Sequence, residues 1–145
     1  MPGILLDTHA LYWLARNEGS LTQDALIAIA RNQEAGTLFV PPVSARELSI
    51  ATQKRSIAGR PNLGDDLPDR WFKDAVRATG ARIVPIGARI ALEAARVVTD
   101  TGHRDPGDCF LIATARVRRI PIVTRDAQML AMAKGNAGYL ATIKC

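Results

Sequence analysis

Residues 105–113 constrain this chain more than any other stretch. They read Asp105-Pro106-Gly107-Asp108-Cys109-Phe110-Leu111-Ile112-Ala113. Asp105 suits a helix N-cap, where its carboxylate accepts from an orphan N–H of the first turn. Pro106 suits the next position, where its missing N–H removes no bond. The residues after Asp108 are apolar on nearly every side, and a helix that is apolar all round is buried. Such a helix requires other layers around it. It also ties Asp108 to a core element while the loop before it stays in water. Both acids could instead be plain caps favoured by the helix dipole, so the rest of the chain has to decide between capping and chemistry.

The remaining sequence supplies the layers. Gly3-Ile4-Leu5-Leu6 reads as a buried parallel strand. Asp7 stands at its carboxyl end, and a helix follows from Thr8. A second helix opens at Leu21-Thr22, with Thr22 as cap, and closes at Gly36. Residues 37–40 form a second strand, stopped by Pro41-Pro42. Ser44-Ala45-Arg46-Glu47 matches a capping box, which would make Glu47 structural, although a strand running straight into a helix also leaves it near the edge that holds Asp7. Residues 54–68 read as a loop or mobile arm. An amphipathic helix over 70–76 ends near Gly80, with Trp71 and Phe72 packed inward. Residues 82–86 form a third strand, 88–98 a helix, and 99–102 a polar loop into the opening motif. Residues 120–124 are a fourth strand closed by Asp126. A turn or two of helix at 129–132 and an edge strand at 138–140 complete the chain. Strands alternating with helices predict an α/β fold, a three-layer α/β/α sandwich around a mostly parallel sheet of four or five strands. The 145 residues, 48% hydrophobic, suit one domain over 1–145.

Right-handed crossovers place all strand carboxyl ends of a parallel sheet on one edge, where ligands bind. Asp7, Glu47, Asp108 and Asp126, with Asp105 beside them, are therefore expected to converge. Clustered carboxylates repel one another unless a proton or cation neutralises them. Oxygen donors without a His/Cys set suit Mg²⁺, or Mn²⁺ as a substitute, rather than Zn²⁺. Such a site can lower the pKa of a water and neutralise phosphoryl charge. The formal net charge of +5 favours a polyanionic partner. Together these features point to a phosphodiesterase acting on nucleic acid. Cys109 and Cys145 have neither metal-site spacing nor the number for a disulfide framework. No leader and no bilayer-spanning run is apparent, so a cytoplasmic location without membrane association is expected.

At these residues the chain resembles the PIN-domain ribonucleases, specifically the VapC-type toxins of type II toxin–antitoxin pairs. The resemblance rests on Leu5-Leu6-Asp7-Thr8-His9, Ser44-x-x-Glu47-Leu48, His103-Arg104-Asp105-Pro106-x-Asp108 with Leu111-Ile112-Ala113-Thr114-Ala115, and Val123-Thr124-Arg125-Asp126. It implies Mg²⁺-dependent endonucleolytic cleavage of single-stranded or looped RNA. It also implies a homodimer, or a higher toxin–antitoxin assembly, inhibited by a VapB-like antitoxin. Carried over by position, Asp7 and Asp108 would hold the metal most directly. Glu47 would bind or orient the attacking water, Asp126 would complete the shell or a second metal site, and Asp105 would be an accessory. Thr8 and Ser44 would support them through their hydroxyls.

Two positions depart from the family pattern. Gly107 stands where relatives often carry a bulky residue, and Cys109 where they carry Arg. Arg104 or Arg125 could replace that cation. His9 and His103 are candidate general acids, His103 the better placed because it borders the acid loop; a hydrogen-bonded structural role is the plainer reading of each. A catalytically silent PIN-like module that binds RNA or protein is the alternative. A receiver domain with Asp7 as phosphoacceptor is disfavoured, because Lys134 and Lys144 do not follow a strand as such a site needs.

Overall fold

The strands are three residues long or shorter, and the apolar side chains of the central three alternate between two helical layers. Residues 3–18 and 21–145 are described by the computed structural model. In chain order the elements are β1 (Ile4–Leu6), α1 (Thr8–Arg16), α2 (Gln23–Ala35), β2 (Leu38–Val40), α3 (Val43–Ala51), a 3-10 turn (Ile57–Gly59), α4 (Pro68–Thr79), β3 (Arg82–Ile83), α5 (Ala88–Thr101), α6 (Pro106–Arg118), β4 (Ile122–Thr124), α7 (Ala127–Gly135) and β5 (Thr142–Lys144). The sheet order is β3-β2-β1-β4-β5, and each pairing is parallel. Ile4, Leu6, Leu38, Val40 and Val123 pack with Leu11, Ile29, Leu48 and Phe72 on one face. Leu5 and Ile122 pack with Val97, Leu111, Ile112 and Met129 on the other. The period-two alternation of a strand thus sorts adjacent residues into separate cores.

The expected sandwich is present, and its sheet is parallel throughout with five strands. α6 is the buried helix anticipated from its sequence, with Gly107, Cys109 and every residue from 111 to 115 buried. Truncating Ile112, which is fully buried, would remove about 2–5 kcal/mol. Chain order and strand order diverge beside β1: β2 and β3 lie to one side of it, β4 and β5 to the other. Neighbouring connections therefore leave on opposite faces, and a crevice opens at the carboxyl ends of β1 and β4.

Four local expectations need correction. Ser44 caps nothing: α3 begins a residue earlier, after Pro42, which makes no side-chain cap bond. The diproline turn already carries the chain into helix, with Ser44 N–H donating to the Pro41 carbonyl at 3.2 Å. The edge strand is Thr142–Lys144 rather than 138–140. Tyr139 N–H instead closes a turn on the Asn136 carbonyl at 3.0 Å. Residues 99–101 are the last turn of α5, where Thr101 Oγ1 donates to the Val97 carbonyl at 2.7 Å. The third strand is only Arg82–Ile83, since Pro85 has no N–H to extend the ladder.

Candidate active site

Asp7, the residue after β1, is buried and caps α1 by accepting from Ala10 N–H at 2.8 Å. Asp126 follows β4 by two residues and caps α7, accepting from Met129 N–H at 2.9 Å. Both sit at the crevice because strand ends and helix starts coincide there. Thr124, the last residue of β4, joins them. Its hydroxyl donates to the Asp7 carboxylate and accepts from Asp126 N–H at 3.0 Å.

Asp108 reaches the same crevice from the first turn of α6. Asp105 caps that helix, its Oδ1 accepting from Asp108 N–H at 3.0 Å. Asp108 Oδ2 lies 2.8 Å from Nε2 of His103, whose side chain is 12% exposed. Cys109 Sγ donates to the His103 carbonyl at 3.2 Å, holding the loop against the helix. Glu47, half-buried on α3, comes from the opposite wall. Its carboxylate lies against the Cα of Gly107, so that a Cβ there would collide with Glu47 Oε1 and stand 2.7 Å from Glu47 Cδ. Thr8 Oγ1 donates to the fully buried Ser44 Oγ at 3.1 Å, stitching α1 to α3 behind the acids.

Asp7, Glu47, Asp108 and Asp126 line one cavity of about 390 Å³. Asp105 is exposed just outside it, His103 supports Asp108 from behind, and Arg104 is exposed; these three are absent from its wall. His9 is on the wall, its ring 5.6 Å from that of Trp13. Arg125 does not reach the cavity: its Nε donates to the Cys145 carbonyl at 2.8 Å and its guanidinium lies 4.2 Å over Trp13. The cations on the wall are instead Lys54 and Arg60. Arg60 Nε donates to the Lys54 carbonyl at 2.6 Å, which closes the loop over the cavity. The sequence carries no signal for this pair, because their placement depends on how a loop folds. Thr124 was legible as a polar residue ending an apolar strand, within the Val123-Thr124-Arg125-Asp126 stretch, with no role assigned to its hydroxyl.

Electrostatics within the cavity are strained in one direction. The Asp7 carboxyl is pushed up chiefly by burial, against the pull of Thr124 and Ala10, and nearby Asp126 adds to the rise. Burial also raises Glu47, with Asp105 and Asp108 reinforcing it and Arg46 opposing it. Asp108 is raised by burial, then lowered by His103 and raised by Asp105 and Asp126. These acids are close enough to resist one another's ionisation, the situation a divalent cation relieves. All the donors are carboxylate oxygens, which fits a hard ion such as Mg²⁺ or Mn²⁺. As the side chains stand, the described residues contain no compact group of three or more His, Cys, Asp or Glu side chains able to grip an ion.

A parallel α/β sandwich with an acid-lined pocket at its switch point is the class defined by this fold and site. The PIN domain family model matches residues 4–135. The chain belongs to the PIN domain family. No curated protein sequence gives a significant match. The fold is similar to a DNA-bound VapBC from Salmonella typhimurium, at 13% identity and a TM-score of 0.63, covering 99% of this chain and 98% of that one. It is also similar to a toxin–antitoxin complex from Klebsiella pneumoniae, at 18% identity, TM-score 0.57, 97% of this chain and 96% of that one. A third likeness is to VapBC-5 from Mycobacterium tuberculosis, at 17% identity, TM-score 0.57, with both chains covered in full (100%). At these identities the likeness is one of fold. Among the described residues no helix is long and apolar enough to cross a membrane.

Proposed function

We propose that this chain is a metal-dependent endoribonuclease of the VapC type, a toxin that cuts single-stranded or looped RNA and is held in check by a VapB-like antitoxin. The observation that carries the reading is that four acids from four separate elements line one cavity. Membership of the PIN family and the likeness to toxin–antitoxin complexes support it. Asp7 and Asp108 would hold Mg²⁺, with Mn²⁺ as a substitute, and Glu47 and Asp126 would complete the set. When bound, such an ion supplies charge neutralisation and a water of lowered pKa. Thr124 holds the Asp7 carboxylate and the start of α7 in one arrangement. His103 fixes Asp108. Glu47, facing them across Gly107, is the acid placed to orient a water. Lys54 and Arg60 are placed to draw in the phosphodiester. A homodimer is part of the same proposal.

The test is cleavage of a labelled single-stranded RNA by purified protein with Mg²⁺. Asp7→Asn and Asp108→Asn should abolish cutting and leave the circular dichroism unchanged. An Asp108→Asn protein that still cuts, with contaminating nuclease excluded, refutes the assignment. A silent binding module is favoured by one observation: Asp7, Asp105 and Asp126 each cap a helix. Mn²⁺ titration separates the two. An ion at a hundred times its Kd stabilises by about 2.7 kcal/mol, and the metal-dependent enzyme should show that rise in Tm and lose it in Asp7→Asn.

A further inference from the structure

At the opposite end of the sheet lies a second, larger cavity of about 680 Å³. Its wall is formed by the C-terminal turn of α6, the N-terminal half of α5 and the segment leading into β5. Arg89, Arg96, Arg116 and Arg119 line it, with Glu93 as the acid among them. Glu93 is already engaged: its Oε1 takes Arg116 Nε at 2.8 Å, and its Oε2 lies 3.9 Å from Arg96 Nη1. Among the described residues, Arg89 and Arg119 have no ion-pair partner. The wall therefore carries an uncompensated positive charge, while the acid cavity carries the reverse.

Two features point to a nucleic acid strand rather than an acidic peptide. Arg116 lies 3.7 Å over the Tyr139 ring and donates to the Tyr139 carbonyl at 2.7 Å, which holds its guanidinium in place beside the ring. Bases stack on guanidinium planes as they do on aromatic rings. Arg119 ends α6 at φ 57°, a left-handed conformation. Glycine takes that conformation most readily, so the backbone gives no reason for an arginine there. Its fork suits a phosphate.

We infer that this arginine-lined cavity is a second RNA contact, which grips the phosphodiester backbone of a strand whose other part enters the acid cavity. The inference deepens the ribonuclease reading and rests on it for the identity of the strand. Its physical basis is separate. The acid cavity sets only Lys54 and Arg60 against its four carboxylates, so an anionic strand gains further affinity from cations elsewhere on the surface. Along α6, Asp108 and Arg119 are eleven residues apart, a rise of about 17 Å, which is the axial distance a strand has to cover between the two cavities.

The experiment measures fluorescence anisotropy of a labelled single-stranded RNA on the full chain in EDTA, across a salt series. Arg89→Ala/Arg119→Gly is compared with the parent. Glycine at 119 suits the left-handed turn, so the variant should keep or raise its Tm. Loss of two phosphate contacts should weaken binding about tenfold at low salt. It should also lower the slope of log affinity against log salt by about 1.4, each contact on a single strand contributing roughly 0.7. An unchanged affinity and slope overturns the inference. So does a variant that keeps RNA but loses a polyglutamate peptide, or loses only inorganic phosphate. Cleavage that fails to depend on Asp7, alongside arginine-dependent binding, would sink the nuclease reading and leave this contact standing.

Discussion

Replacing Gly107 with alanine separates what the active-site loop does for stability from what it does for chemistry. Gly107 is the second residue of α6, and its φ is not left-handed, so alanine meets no backbone strain. Inside a helix alanine is favoured over glycine by about 1 kcal/mol. Against that stands the collision of the new Cβ with the Glu47 carboxylate. Glu47 is the end of a flexible side chain that is 35% exposed, so it can swing into solvent. An imperfect rotamer costs about 0.5–1.5 kcal/mol. The two effects nearly cancel, and Tm should move by only a few degrees. The catalytic effect does not cancel. The methyl takes the place of the carboxylate, and a misplacement of about 1 Å can lower a rate roughly a hundredfold. The assay is kcat for RNA cleavage beside a thermal melt, for Gly107→Ala, Glu47→Ala and the double variant. In the Glu47→Ala background the second change should have almost no further effect on rate. Full activity in Gly107→Ala would show that the rate does not depend on Glu47 resting against this glycine. A loss of more than about 3 kcal/mol would show that Glu47 cannot yield. Either result refutes the reasoning.

Three further outcomes follow from the same geometry. Asp7 has a carboxyl raised from 3.8 in the folded protein, so it favours the fold fully when protonated, and that contribution is lost as pH rises through the raised value. Asp7→Asn, which keeps a good cap, should melt higher than the parent in EDTA at pH 7, with the gap closing toward pH 3; an equal gap at both pH values contradicts this. Thr124→Val removes the hydroxyl shared by Asp7 and Asp126 N–H, and urea midpoints should report a loss of about 1–3 kcal/mol; an unchanged midpoint means the bridge is idle. Cys145 is pushed up to about 11 by burial and by Asp7, and Cys109 is raised too. Both thiols should therefore resist iodoacetamide at pH 8 until the chain is unfolded, as mass spectrometry can check.

The parts of this architecture that sequence reveals are those written in local chemistry. A three-residue apolar run followed by an acid, as in Ile4 to Asp7, states both the strand and its polar end. Asp105-Pro106 states a helix start, and it is one. What escaped depends on partners distant in the chain. The Ser44-x-x-Glu47 spacing imitates a capping box, but Pro41-Pro42 turns the chain early and leaves Ser44 inside the helix, bonded to Thr8. Glu47 is thereby released from capping, and no local pattern could announce that its carboxylate would rest on Gly107. Lys54 and Arg60 reach the cavity through a loop with no periodicity to read.

Capping and chemistry look like rival uses of the same acids in the sequence, and the geometry makes them compatible. A cap bond occupies one carboxylate oxygen: Ala10 N–H takes Asp7 Oδ1, and Met129 N–H takes Asp126 Oδ1. Pinning that oxygen fixes the side-chain rotamer, and with it the direction in which the carboxylate faces the crevice. In a parallel sheet each strand end lies next to a helix start, so an acid that caps the helix also stands at the edge where ligands bind. Helix N-termini favour anionic carboxylates, while burial and neighbouring acids oppose them, and at Asp7 the second influence prevails. An acid held in a fixed orientation yet reluctant to ionise alone is what a divalent cation stabilises most. If the caps were the whole purpose, asparagine would serve at Asp7 and Asp126 equally well. On the metal-dependent reading, the Asp7→Asn/Asp126→Asn protein should fold and melt no lower than its parent in EDTA, yet lose both Mn²⁺ binding and cleavage. Retained Mn²⁺ binding in that variant would mean that the caps and the ion site are separate after all.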